Sequence, residues 1–255
     1  MPIHQTSVPH HMTHTCCYIP AHVHFAFEGD AVVFMNLRTD QYSLLLGKDA
    51  RAFRSMICDS GAGGVRTIGV PEHDPANPDT PEYALLRELQ ANYLVVYGQE
   101  GALAPTSVRL PRPEETLLSP DDFERPECRL IDILQFMKSC VLTAGRLAFF
   151  SVEHTLMNIP HRRETIGAGR RISLSEARRL VGIYNYLRPF FPKACVCLFD
   201  SLALLDFLAH HGCLPYLVFA VTLEPWEAHC WLQYGAVSFN EDAERARTFL
   251  PILTV

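Results

Sequence analysis

The chain has 255 residues, 48% of them hydrophobic and 20% charged, with a formal net charge of −6. That length gives room for two modest domains with separate cores, and the composition is that of an ordinary globular protein. The negative balance excludes broad nucleic-acid affinity, which needs a basic footprint.

A polar, histidine-rich tail at 1–18 opens the chain, without the basic and apolar regions of a secretory start. Strands are expected at 22–27, 31–37 and 41–46, joined by turns at Glu28-Gly29-Asp30 and Arg38-Thr39-Asp40, which makes a three-stranded meander. A helix at 47–58 turns Ala50, Phe53, Met56 and Ile57 inward. The Gly61-Ala62-Gly63-Gly64 stretch breaks it, and a loop fills 71–81. Thr80-Pro81 then starts a second helix, running to near Gly98, with Leu85, Leu86, Leu89 and Tyr93 as its apolar stripe.

Five prolines and little periodicity mark 101–126 as a linker. Apolar helical text covers 128–150. The capping box Ser173-Leu174-Ser175-Glu176 opens a helix to about Phe190, and Pro192 stops it. A further helix runs from Cys197 to Gly212. Strands at 216–223, 227–234 and 237–240 follow. His161-Arg162-Arg163 and Gly169-Arg170-Arg171 make a basic loop, a solvated surface or a contact for an acidic peptide segment. His10, His11, His14, Cys16 and Cys17 are explained by a polar tail, Cys195-Val196-Cys197 has no second ligand pair, and no metal is expected. The glycine runs at 61–64 and 167–169 lack the lysine of a phosphate loop. The nine cysteines lack framework spacing and no apolar run is long enough for a bilayer, so reduced thiols in a cytoplasmic protein are expected.

Chemistry concentrates at Cys197 and at Ala228-His229-Cys230-Trp231. A thiol at a helix N-terminus meets the positive end of the macrodipole, which favours the thiolate. A histidine on a later strand supplies the base that such a nucleophile needs. A third group must hold the imidazole, and Glu241 and Asp242, one hairpin later, are both candidates. A buried core cysteine beside a satisfied strand histidine is the bland alternative. A helix bearing cysteine, followed by strands bearing histidine and an acid, is the order of triads in papain-like and transglutaminase-like folds.

Three segments carry a closer resemblance: Cys197-Leu198-Phe199-Asp200-Ser201-Leu202-Ala203-Leu204, Ala228-His229-Cys230-Trp231-Leu232-Gln233, and Phe249-Leu250-Pro251-Ile252-Leu253. With them the second half resembles the leader peptidase, or B protein, of lasso-peptide biosynthesis, a transglutaminase-like cysteine protease. The first half is similar to the PqqD-type precursor-recognition element, a relative of the coenzyme-PQQ chaperone. The resemblance implies an α+β protein with a flexible tail at 1–18, a winged-helix-like recognition domain at 19–100, a linker at 101–126 and a transglutaminase-like or papain-like protease domain at 127–255. It implies that Cys197 cuts the leader from a ribosomally made precursor, with His229 as base and then acid. The family pattern Asn-Asp stands here as Asn240-Glu241-Asp242, which leaves the third role between Glu241 and Asp242. Tyr42 and Leu44 on the edge strand and Leu86 and Leu89 on the second helix are the implied leader contacts, by strand addition and side-chain pockets. No cofactor is implied. The implied partners are the precursor's leader and a separate cyclase of asparagine-synthetase type, with no nucleic acid and no membrane. Acyl transfer to an amine and a non-catalytic adaptor delivering precursor to the cyclase are the alternatives.

Overall fold

The computed structural model describes residues 16–59, 66–68, 80–98, 108–117, 126–167, 172–194 and 196–255. From the N-terminus, β1 (Cys16–Tyr18) precedes an antiparallel meander of β2 (Val23–Glu28), β3 (Ala31–Asn36) and β4 (Gln41–Leu46). Helix α1 (Gly47–Met56), β5 (Ile57–Asp59), β6 (Arg66–Ile68), α2 (Pro81–Ala91) and β7 (Val96–Gly98) follow. After β8 (Glu115–Thr116) come α3 (Leu130–Phe149), α4 (Val152–Leu156), α5 (Ile159–Gly167) and α6 (Leu174–Leu187). The chain ends with α7 (Cys197–Ala209), β9 (Tyr216–Leu223), β10 (Trp226–Tyr234), β11 (Val237–Ser238), α8 (Ala243–Ala246) and β12 (Leu250–Thr254).

Packing divides this chain into two units: Met1–Ala21 with Lys48–Pro105, and His22–Gly47 with Thr106–Val255. In the first unit four short strands pair antiparallel in the order β5-β6-β1-β7. Thr80 caps α2 through the Tyr83 amide at 3.4 Å, and Pro81 occupies the first turn, where its missing N–H costs nothing. The helix stops well short of Gly98. Tyr93 takes a left-handed φ of 57°, and the next residues extend to pair with β1. Because Cys16–Tyr18 is a paired strand, the expected tail is structured at its end; residues 1–15, with His10, His11 and His14, lie outside the described residues.

The meander is the main departure from the sequence expectation. Residues 19–100 do not form one body: the meander packs with the C-terminal unit, whereas α1 and α2 belong to the other. The physical reason is β3, which is buried along its whole length. Its Val33 and Met35, with Leu37, share a core with Phe199, Leu202 and Leu253 of the later elements. Strand β12 packs against β2 and β3, and the Glu153 amide donates to the Leu37 carbonyl at 3.1 Å. A strand this apolar has no exposed face to offer, and it is stable only with a cover on both sides.

Helix α7 runs through the centre of the second unit. Phe199 and every residue from Ser201 to Leu208 are buried, so it is enclosed on all sides and largely apolar, as a helix in the middle of a core must be. It packs on α3, α6 and the face of β10. The sheet order is β12-β9-β10-β11-β8, antiparallel except for the β8–β11 pair. Strand β8 lies in the expected linker. There Thr116 accepts from the Ala243 amide at 2.7 Å and Leu117 is buried. The three residues His161, Arg162 and Arg163 are helical within α5 instead of looped; 168–171 lie outside the described residues, as do 60–65 and 69–79. Among the described residues no helix is long and apolar enough to cross a membrane, and no three His, Cys, Asp or Glu side chains gather as a metal site.

Candidate active site

Cys197 is the first residue of α7, after an extended Val196 that offers no side-chain cap. The amides of the first turn therefore lack partners from within the helix. The approach to this turn is fixed by Arg188, which is 7% exposed. Its guanidinium bonds the Asp200 carboxylate at 2.5 Å and donates to the carbonyls of Phe191, Lys193 and Ala194. One buried cation thus ties the first turn of α7 to the loop before it. A charge held this way is costly to strip of its partners.

His229 lies on β10, in register with Ala220 of β9. On the other side of β10, strand β11 pairs only Gln233 and Tyr234, so among the described residues no strand pairs with β10 on that side at His229. Its imidazole is flanked by Phe249 at 5.4 Å and Trp231 at 6.2 Å between ring centroids. The Nε2 atom bonds Oε2 of Glu241, which leaves Nδ1 for the thiol of Cys197, with which the ring is also hydrogen-bonded. Burial works against a charged imidazole, yet the bonds to Cys197 and Glu241 raise its pKa to about 9. The thiol of Cys197 moves the other way, down to about 4, through a hydrogen bond from Cys230 and then one from His229, against the cost of burial. At neutral pH the pair is thiolate and imidazolium.

Of the expected site residues, the structure gathers Cys197, His229 and Glu241. Asp242 turns away to cap α8, accepting from the amides of Glu244 and Arg245 at 2.9 and 3.0 Å. Glu241 is itself held by the Asp242 amide at 2.9 Å and by Arg245 at 3.1 Å. Against burial, the bond to His229, then that from the Asp242 amide and the charges of His229 and Arg245, keep its carboxyl below the usual range. Tyr42 sits in the same unit. Its ring is 5.8 Å from Trp226, three residues ahead of His229, and burial followed by the nearby sulfurs and Asp40 pushes its phenol pKa up. Leu44 is 43% exposed on the same strand. Leu86 and Leu89 are 0% and 1% exposed; they are core of the first unit and offer no surface for a leader.

A buried polar chain that sequence reasoning missed supports the pair from below. Asn240 accepts from the Leu232 amide at 2.7 Å and donates to Oγ of Ser201 at 2.9 Å. Ser201, one turn along α7 from Cys197, donates to the Cys230 carbonyl at 3.2 Å, and its Oγ lies 4.0 Å from the Cys230 sulfur. Cys230 is 2% exposed, and its bond to Cys197 together with burial pushes its own thiol well up. It therefore stays a neutral donor to its neighbour. The adjacency of Cys230 to His229 was the available signal; the link through Ser201 spans 29 residues and has no sequence pattern. Cys195 lies outside the described residues.

Compared with known proteins, the chain matches no curated protein and no solved structure. One family model does match, and it covers α7, β10 and β12 with Cys197, His229 and Glu241. Residues 140–254 match the model of the family described as the transglutaminase-like superfamily.

Proposed function

We propose that the protein is a cysteine peptidase and that its reaction is removal of the leader from a lasso-peptide precursor. The observation that carries this reading is the thiolate–imidazolium pair of Cys197 and His229 at the start of α7, with Glu241 behind the imidazole. Structural cysteines are inert thiols with raised pKa, as Cys140 and Cys213 are here, both pushed up to about 11 by burial.

In this reaction the Cys197 sulfur attacks the carbonyl carbon joining leader to core. The oxyanion meets the free amides of the first turn of α7. His229 passes its proton to the departing amine, which leaves as the core, and the leader remains as a thioester. His229 then takes a proton from water, whose oxygen displaces the sulfur and frees the leader acid. Glu241 holds the imidazole in one orientation throughout. Strand β4 is an outer strand of the meander sheet, and a leader added to its edge would run past Tyr42 and Leu44.

Intact-mass spectrometry on a leader–core precursor, with native protein and with Cys197→Ala, tests this directly. Leader acid and core amine formed only by the native protein support it. A mass corresponding to an amine adduct of the leader would mean acyl transfer. Precursor that binds but stays whole, and is passed to the asparagine-synthetase-type cyclase by Cys197→Ala as well as by native protein, would mean an adaptor.

A further inference from the structure

Far from the thiol, at the other end of α7, α3, α4 and α5 enclose a cavity of about 440 Å³. The distance from Cys197 is about 14–20 Å along the helix axis at about 1.5 Å per residue. Lys138, Arg146 and Arg162 line it, against a single carboxylate, Asp206. That carboxylate is fully engaged: Thr143 donates to it at 3.1 Å, Arg162 at 2.6 Å, and Arg146 bonds the same oxygen as Thr143. Asp206 is 5% exposed and fixes both guanidinium groups in place. A guanidinium carries five N–H donors, so each arginine keeps donors beyond the bond to Asp206, and both are about a third exposed.

The field in this cavity is positive. His210 at its edge has its pKa lowered by burial and then by Lys138, with Arg162 acting in the same sense against Asp206. Asn158 and Ile159, at the N-terminal end of the nine-residue α5, line the same space, and that end of a helix favours an anion. The rim is apolar. Phe150 is stacked on His154 at 4.7 Å, Leu142 is 48% exposed, and Leu134, Met137 and Val141 continue an exposed apolar strip along α3.

We propose that this cavity is a docking site for an acidic peptide segment, whose carboxylate side chain enters between Lys138, Arg146 and Arg162 while its apolar neighbours lie on Leu142 and Phe150. The charge selects the carboxylate. Two guanidinium groups held by one anion form a preorganised fork for a second anion. The apolar rim selects a peptide over a free oxyanion, because bare phosphate or acetate leaves Leu142 and Phe150 uncovered.

The test is fluorescence anisotropy on full-length Cys197→Ala protein, which cannot cut a peptide. The probes are a labelled hexapeptide of alternating glutamate and leucine, the same peptide with glutamine for glutamate, and inorganic phosphate as unlabelled competitor. The glutamate peptide is expected to bind about tenfold or more tightly than its glutamine counterpart, as one well-formed charge-assisted contact predicts. Phosphate should displace it. The exposed Lys138→Glu change should weaken it by about tenfold, and His154→Ala, which removes the partner of Phe150, should weaken it by less. Equal binding of the two peptides, or binding untouched by Lys138→Glu, would overturn the proposal. Phosphate perturbing the His210 resonances while neither peptide binds would make the cavity a site for a free oxyanion and would overturn the peptide assignment.

Discussion

Nε2 of His229 and Oε2 of Glu241 share a hydrogen bond, and Arg245 holds the same carboxylate oxygen from its other side. The imidazole is thereby fixed with Nδ1 toward Cys197 and its positive charge is matched.

Glu241→Gln should keep the fold and lower kcat by about 10²- to 10⁴-fold, the range seen when the orienting acid of such a triad loses its charge. The alkaline limb of the pH–rate profile, set near 9 by His229, should move to lower pH, because a bond and a charge that favour the imidazolium are gone. Asp242→Ala should leave kcat within a few-fold and cost about 1 kcal/mol of stability, through loss of a helix cap. Steady-state kinetics with a thermal melt distinguish the two residues; equal losses of kcat would refute the assignment of Glu241.

Cys230→Ala should raise the pKa of the Cys197 thiol, since the Cys230 hydrogen bond is the largest influence lowering it. The acid limb of activity then moves up in pH while the alkaline limb stays with His229. Cys230→Ser, which can still donate through a hydroxyl, should restore most of the shift. An acid limb identical in all three proteins would show that the buried thiol is only packing.

Tyr42→Phe removes a phenol hydroxyl that stays protonated beside the two sulfurs and leaves the ring contact with Trp226 intact. If that hydroxyl serves the oxyanion or the scissile carbonyl, kcat falls by roughly 10²-fold with KM little changed. Rising KM at constant kcat would place Tyr42 in peptide binding alone.

The contrast between Tyr42 and His229 shows what the sequence made legible. The C-terminal elements follow from local signals: the apolar spacing of α7, the Ser173 cap of α6 with its 3.2 Å bond to the Glu176 amide, and the strand-length apolar run of β9. Cys197 and His229 were visible because each sits at a telling place in such an element. The choice between Glu241 and Asp242 was not, since adjacent residues differ only in which way the chain turns, and the cap that claims Asp242 belongs to a helix of four residues. The partner of the meander was hidden for another reason. The apolar run of β3 shows that Val33 and Met35 are buried, but not which unit covers them. A sequence-local grouping with α1 and α2 was the natural expectation, and long-range packing overrode it.

The claim on which the rest depends is that Cys197 is a thiolate at neutral pH. The rate of iodoacetamide alkylation of Cys197, followed by peptide mapping from pH 3 to 10, measures it directly. A rate that holds steady through neutral pH and falls only on approach to about 4 is the predicted result. A rate that climbs with the ordinary thiol pKa near 9, or a site that alkylates only when unfolded, would contradict the account.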